Sequence, residues 1–245
     1  MEKLLEVQNL TKIYKKDRGV QDISFDIFKG DIFGFLGPNG AGKTTVMKVI
    51  TGLIKPDRGS VKILGHNIAD DFEKAMGKVG AVIETADSYE YMSAYKNLKL
   101  AARFYNDVKD ERIDEVLELV GLEKYKKEKV GEFSLGMKQR LGLAAALLSK
   151  PEFIILDEPT NGLDIEGVVE IRNIVKMLAK EQGVSFFISS HVIHEMELTC
   201  SRVGIIYDGR LISQVTMEEV KAQNISLEDY FLKCVKESRG EVVNG

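Results

Sequence analysis

The chain has 245 residues, 44% hydrophobic and 29% charged, with a formal net charge of −4. That length supports one large domain or a core with a subdomain, and the charge provides no basic footprint for a nucleic-acid partner. Cys200 and Cys234 lack metal-ligand spacing and read as reduced thiols, while no apolar run approaches the roughly 20 residues of a membrane-spanning helix.

In chain order, strand-like runs occupy Leu5–Tyr14, Ile23–Phe28, Ile32–Leu36, Val61–Leu64 and Val79–Ile83. A helical stretch follows from about Ala94 to Lys150, with Ile113, Val116, Leu117 and Val120 at helical spacing. Gly131 and Gly136 break that pattern, and a further helix is expected to start near Met137. Strands resume at Phe153–Leu156, Val184–Ser189, Val203–Tyr207 and Leu211–Val215. A short amphipathic segment, Leu227–Val235, precedes a polar tail at Ser238–Gly245. The expected fold is α/β: a mixed β-sheet core with an antiparallel portion and an inserted α-helical subdomain. The core is placed at 1–86 and 150–220, the helical insert at 87–149, and a C-terminal helix and tail at 221–245.

The strongest motif is Gly37-Pro38-Asn39-Gly40-Ala41-Gly42-Lys43-Thr44-Thr45, a P-loop between the strand Ile32–Leu36 and a helix from Lys43. Its glycines let the backbone wrap so that several N–H groups face phosphate oxygens, and the helix adds its positive N-terminal end. Lys43 is placed to reach the β- and γ-phosphates and Thr44 to coordinate Mg²⁺. A nucleoside triphosphate is the ligand this pattern suits.

Phe153-Ile154-Ile155-Leu156 suits a strand buried on both faces, ending in Asp157-Glu158-Pro159. Ligands of open α/β sheets gather at such strand ends. Asp157 is expected to hold Mg²⁺, and Glu158 to orient and deprotonate the attacking water.

In this order of motifs the sequence resembles the ATPase subunits of ABC transporters over almost its whole length. The signature stretch reads Phe133-Ser134-Leu135-Gly136-Met137-Lys138-Gln139-Arg140, with Leu135 and Met137 departing from the usual L-S-G-G-Q. The resemblance implies a P-loop NTPase fold of ABC type and a head-to-tail dimer, formed with a second copy or a homologous subunit, that sandwiches two ATP molecules. Ser134, Gly136 and Asp164, the last in a D-loop-like Pro159–Asp164 segment, would contact ATP bound to the other subunit. Ser134 also reads as a helix N-cap, and the two roles are compatible. His191, after Ser189-Ser190, resembles the switch histidine that contacts the γ-phosphate and holds Glu158. His194 reads as structural and His66 as surface. Tyr14 lies where the family stacks an aromatic on adenine, although a plain strand tyrosine competes with that reading.

Where the family usually carries a glutamine, this chain has Glu84, which retains an oxygen ligand for Mg²⁺ and adds charge. The segment Thr85–Ser93 then corresponds to the part that couples ATP state to a membrane partner. Glu84, Ser134-Leu135-Gly136-Met137-Lys138-Gln139 and Tyr95-Lys96-Asn97-Leu98 resemble the branch of bacitracin-resistance and lantibiotic-immunity exporters. The implied function is ATP binding and hydrolysis for export of a peptide antibiotic. ATP and Mg²⁺ are the implied cofactors, a polytopic permease the implied partner, and the cytoplasmic side of the membrane the implied location. The alternative is a non-transport ABC-type ATPase of DNA maintenance or translation. The first would need a long coiled coil between Thr45 and Phe133, and the second normally carries two cassettes.

Overall fold

Apolar residues alternating through the N-terminal strands build one face of an antiparallel sheet in the computed structural model, which describes residues 2–15, 18–84 and 88–240. Strands β1 (Lys3–Ile13), β2 (Gly19–Phe28), β4 (Arg58–Ile63) and β5 (His66–Asn67) pair in the order β2-β1-β4-β5. Leu5, Val7, Leu10, Ile23, Phe25, Ile27, Val61 and Ile63 are buried on it.

The second sheet has the order β10-β9-β3-β8-β7-β6. Its strands are β3 (Ile32–Leu36), β6 (Val79–Val82), β7 (Phe153–Asp157), β8 (Ser185–Ser190), β9 (Arg202–Tyr207) and β10 (Arg210–Thr216). All pair in parallel except β10, which is antiparallel to β9. Every residue of β7 and β8 is buried, as expected for strands covered on both faces. Alternate residues serve two cores. Phe33, Phe35, Phe153, Ile155 and Phe187 face the antiparallel sheet, where Phe25 stacks on Phe33 and Phe35 at 5.4 and 5.5 Å. Ile154, Leu156, Phe186, Ile188, Val203 and Ile205 face the helices.

Helices α1 (Lys43–Ile50) and α2 (Phe72–Met76) pack in the core shared with the antiparallel sheet, while α3 (Ala94–Ala102), α4 (Asp110–Leu119) and α5 (Leu135–Leu147) lie on the helical side. Four more follow: α6 (Ile165–Gln182), α7 (Ile193–Thr199), α8 (Met217–Ala222) and α9 (Leu227–Ser238). Gly80 is where α5 crosses β6. A Cβ there would lie 2.4 Å from the Ala146 carbonyl oxygen, so a larger residue would push the helix off the sheet.

One sequence expectation is corrected. Gly136 does not break the helical run, because α5 begins at Leu135 and Gly136 lies in its first turn. Ser134 caps that turn by accepting the Met137 N–H at 3.2 Å, and a glycine next to a good cap is tolerated where a mid-helix glycine is costly. Tyr14 falls one residue past β1 rather than inside it. The helix after Ser226 runs to Ser238, beyond the amphipathic segment read from sequence. Residues 241–245 of the expected tail lie outside the described residues, as do 85–87 of the segment after Glu84.

Candidate nucleotide site

The P-loop leaves β3 at Gly37, where a Cβ would meet the Ile206 carbonyl oxygen at 2.2 Å, so only glycine fits between β3 and β9. The loop ends at Gly42, which caps α1 in the left-handed region at φ 107. No side chain caps α1. The first-turn N–H groups that a serine or aspartate would satisfy are left to the loop's concave side, the arrangement that binds anions. Lys43 is only 5% exposed, and its ammonium donates to the carbonyls of Gly37 at 2.7 Å and Pro38 at 3.2 Å.

The end of β7 brings the acidic pair to the same edge, since Asp157 pairs with Ser189 and Leu36 with Ser190 in the parallel register. Asp157 is buried and accepts a 2.6 Å hydrogen bond from the Ser189 hydroxyl. Glu158 turns sharply out of the strand at φ 48, a left-handed conformation that costs a non-glycine residue on the order of 1–3 kcal/mol. One carboxylate oxygen, Oε1, lies 3.0 Å from the Lys43 ammonium as an ion pair without a well-directed hydrogen bond. The other, Oε2, accepts from His191 Nδ1 at 2.9 Å, which leaves the His191 Nε2 for another partner. Lys43, Glu158 and His191 therefore form one connected chain of charged and polar groups. Arg172 of α6 pairs with Glu195 of α7 at 3.2 Å and ties down the helix that follows His191.

Other expected site residues stand apart from this cluster. Tyr14 is 44% exposed, with the Lys12 ammonium 5.9 Å from its ring centroid, so a flat aromatic face is open to solvent next to a cation. Glu84, at φ 66, pairs with Lys48 of α1 at 2.6 Å instead of meeting Asp157. Asp164 caps α6 by accepting the Gly167 N–H at 2.9 Å. Ser134 and Gly136 sit at the start of α5, where Gly136 lies against Gly167 and Leu163, and Leu135 against Gly162. The signature and D-loop segments are thus packed on one another. His194 lies on α7, and the His66 side chain is 42% exposed beside Asp71.

Two participants had no role assigned from the sequence. Lys48 carried no motif signal. Ser189 did carry one: a polar residue inside a strand that is otherwise apolar and wholly buried needs a partner.

Three parallel strands that deliver a phosphate loop, an acidic pair and a histidine to one sheet edge define a P-loop nucleoside triphosphatase. Residues 20–161 match the family model described as ABC transporter. A Bacillus subtilis protein described as the uncharacterized ABC transporter ATP-binding protein YhcH is 46% identical, over 99% of this chain and 79% of its own. The bacitracin transport ATP-binding protein BcrA of Bacillus licheniformis is 43% identical over 91% of this chain and 73% of its own. A solved ATP-binding cassette, described as a dimer in a post-hydrolysis state bound to ADP and Pi, superposes with a TM-score of 0.77. It is 26% identical and covers 87% of this chain and 99% of its own. This chain belongs to the ATP-binding subunits of ABC transporters, and its activity is ATP hydrolysis coupled to transmembrane transport.

Proposed function

We propose that the transporter served by this chain exports a peptide antibiotic of the bacitracin or lantibiotic type, conferring resistance or immunity. The similarity to BcrA over 91% of the chain carries this reading. Glu84 and the Ser134-Leu135-Gly136-Met137 signature support it.

In the site, the Gly37–Thr45 loop binds the ATP phosphates through its backbone N–H groups and Lys43, while Tyr14 offers its exposed ring to the adenine. Phosphate oxygens would draw the Lys43 ammonium from Glu158, leaving that carboxylate free to take a proton from water in line with the γ-phosphate. His191 holds Glu158 in place through Nδ1. The oxygen donors Thr44 and Asp157 suit Mg²⁺, a hard cation that keeps several waters and shares its shell with substrate phosphates. Asp157 fits that pattern as a single buried carboxylate at the sheet edge beside the phosphate loop. When bound, the ion neutralises and orients the phosphates. Glu84 joins this set only if it leaves Lys48.

Ser134, Gly136 and Asp164 act on ATP held by a second subunit. The Ser134 Oγ accepts the Met137 N–H, yet its own proton remains free to donate to a phosphate. The relative solved as a dimer supports this assembly. No helix among the described residues is long and apolar enough to cross a membrane. The family membership supports a polytopic permease that would supply the path and hold the chain at the cytoplasmic side. A groove of about 790 Å³ between the sheet edge at Val79–Ile83 and α3 exposes Leu53 and Phe104 at its rim and suits that partner. The proposed helical unit, 87–149, lines this groove with α3 and α5 and carries the signature at the start of α5, so it would carry the coupling, with 1–86 and 150–220 as the ATP-binding core and 221–245 as a C-terminal helix and tail.

Co-expression with its permease should raise tolerance to bacitracin or a lantibiotic several-fold, and Glu158→Gln should remove the gain. Unchanged growth inhibition by both antibiotics, with ATPase activity intact, would overturn the cargo assignment alone.

A further inference from the structure

Ser189 has no exposed surface and belongs to none of the catalytic roles assigned above. Its hydroxyl lies 2.6 Å from Asp157 Oδ1 and 2.8 Å from the backbone nitrogen of Glu158. A backbone N–H only donates, so the hydroxyl accepts there, and its single proton goes to the Asp157 carboxylate. Both interactions together fix the rotor. The N–H being held is that of the residue at φ 48, so one buried hydroxyl secures the strained turn and the carboxylate before it. The neighbouring Ser190 carbonyl accepts the Gly37 N–H at 3.2 Å, which ties the same stretch of β8 to the start of the P-loop.

We propose that Ser189 is a positioning residue for ATP hydrolysis. It clamps the Asp157 carboxylate and the left-handed backbone of Glu158 in one geometry, so that the metal-holding oxygen and the base are set relative to each other. The inference rests on the roles of Asp157 and Glu158 proposed above. A hydroxyl that merely satisfied a strand end would need only one of these partners. This one joins the side chain of the first acidic residue to the main chain of the second.

The test uses the full chain with Ser189→Ala, Ser189→Cys and Ser189→Thr, and with Glu158→Gln and Asp157→Ala as controls. Steady-state hydrolysis gives kcat and KM. Equilibrium titration with a fluorescent ATP analogue, in Mg²⁺ and in EDTA, gives affinity without turnover. Ser189→Ala should lower kcat about tenfold or more, the scale of one lost charge-assisted hydrogen bond. It should also shrink the affinity gained on adding Mg²⁺ several-fold while leaving affinity in EDTA unchanged. Ser189→Cys keeps the volume but donates weakly, so it should move the same readouts in the same direction and serves if the alanine variant does not fold. Ser189→Thr retains the hydroxyl and should recover most of the Mg²⁺ dependence.

A folded Ala or Cys variant with unchanged kcat and unchanged Mg²⁺ dependence overturns the proposal when Glu158→Gln has lost hydrolysis. An equal loss of affinity in EDTA marks a general lesion and overturns it too. If Glu158→Gln still hydrolyses ATP, or Asp157→Ala keeps its Mg²⁺ dependence, the reading of the acidic pair fails instead.

Discussion

The two helix starts proposed to bind phosphate are built in opposite ways. Helix α1 has a glycine in the left-handed region at its cap and no side chain on its first-turn N–H groups. Helix α5 is capped by Ser134, whose oxygen already accepts the Met137 N–H. The first helix therefore has unspent backbone donors and a buried lysine beside them, joined through Glu158 to His191. The second has given one first-turn donor to its own cap and has no lysine beside it, so it offers the Ser134 hydroxyl and the remaining first-turn N–H groups. On the proposed reading, α1 carries the main phosphate site of its own chain, and α5 supplements a site in a second subunit. If that reading holds, one chain would hold ATP and still need a partner for fast hydrolysis.

Variants at the two helix starts should separate along that line. Glu158→Gln is expected to have the largest effect, a loss of about 10²–10⁴ in kcat, because it removes the base while sparing the loop. ATP should stay bound and favour the dimer, visible as a larger species in size-exclusion chromatography. Wild-type turnover would remove Glu158 from catalysis.

Lys43→Ala comes next. It strips the loop of its lysine, which is only 5% exposed and whose ammonium would supply charge-assisted hydrogen bonds to phosphate, each worth about 1.5–3 kcal/mol. ATP affinity by equilibrium titration should fall by about 10- to 100-fold on that scale. Unchanged affinity would show that the backbone alone binds the phosphates.

Ser134→Ala should act differently. Loss of the cap costs about 0.5–2 kcal/mol and lowers Tm, while ATP binding by the isolated chain stays normal and only turnover declines. A fall in ATP binding to the monomer equal to that of Lys43→Ala would erase the distinction between the helices.

The smallest expected effect lies outside both. Burial pushes the Cys200 thiol up to about 12, under Gly34, whose absent Cβ would meet the sulfur at 2.8 Å. The folded state binds that proton more tightly than the unfolded one, so the stabilisation is complete below the ordinary thiol value and declines as pH rises through the alkaline range. Tm between pH 8 and 10 should therefore fall slightly more in the wild type than in Cys200→Ala, and equal slopes would contradict the burial argument. The same thiol should resist alkylation until the chain unfolds.

Much of this architecture could be read from local pattern. Phe153–Leu156 announced a doubly covered strand because its aromatic and β-branched apolar run leads straight into an acidic pair, and Gly37–Thr45 announced its own turn through glycines that no other residue replaces. Gly136 misled, because a glycine in the first turn of a capped helix looks the same in sequence as one that ends a helix. Glu84 was legible as a departure from its family, but not as the partner of Lys48, which is 36 residues away in the chain.

By itself the sequence determined the chemical inventory: which turns are possible, which strands are buried and which groups can bind phosphate or accept a proton. These follow from short-range sterics and hydrophobic periodicity, which act within a few residues. Only the tertiary structure decided the pairings. The parallel register of β7 on β8 sets Asp157 opposite Ser189, and β8 on β3 sets Leu36 opposite Ser190. Because that register is fixed by burial on both faces of the sheet, the placement of Lys43, Glu158, Ser189 and His191 relative to one another is a property of the packed core, which no single segment encodes.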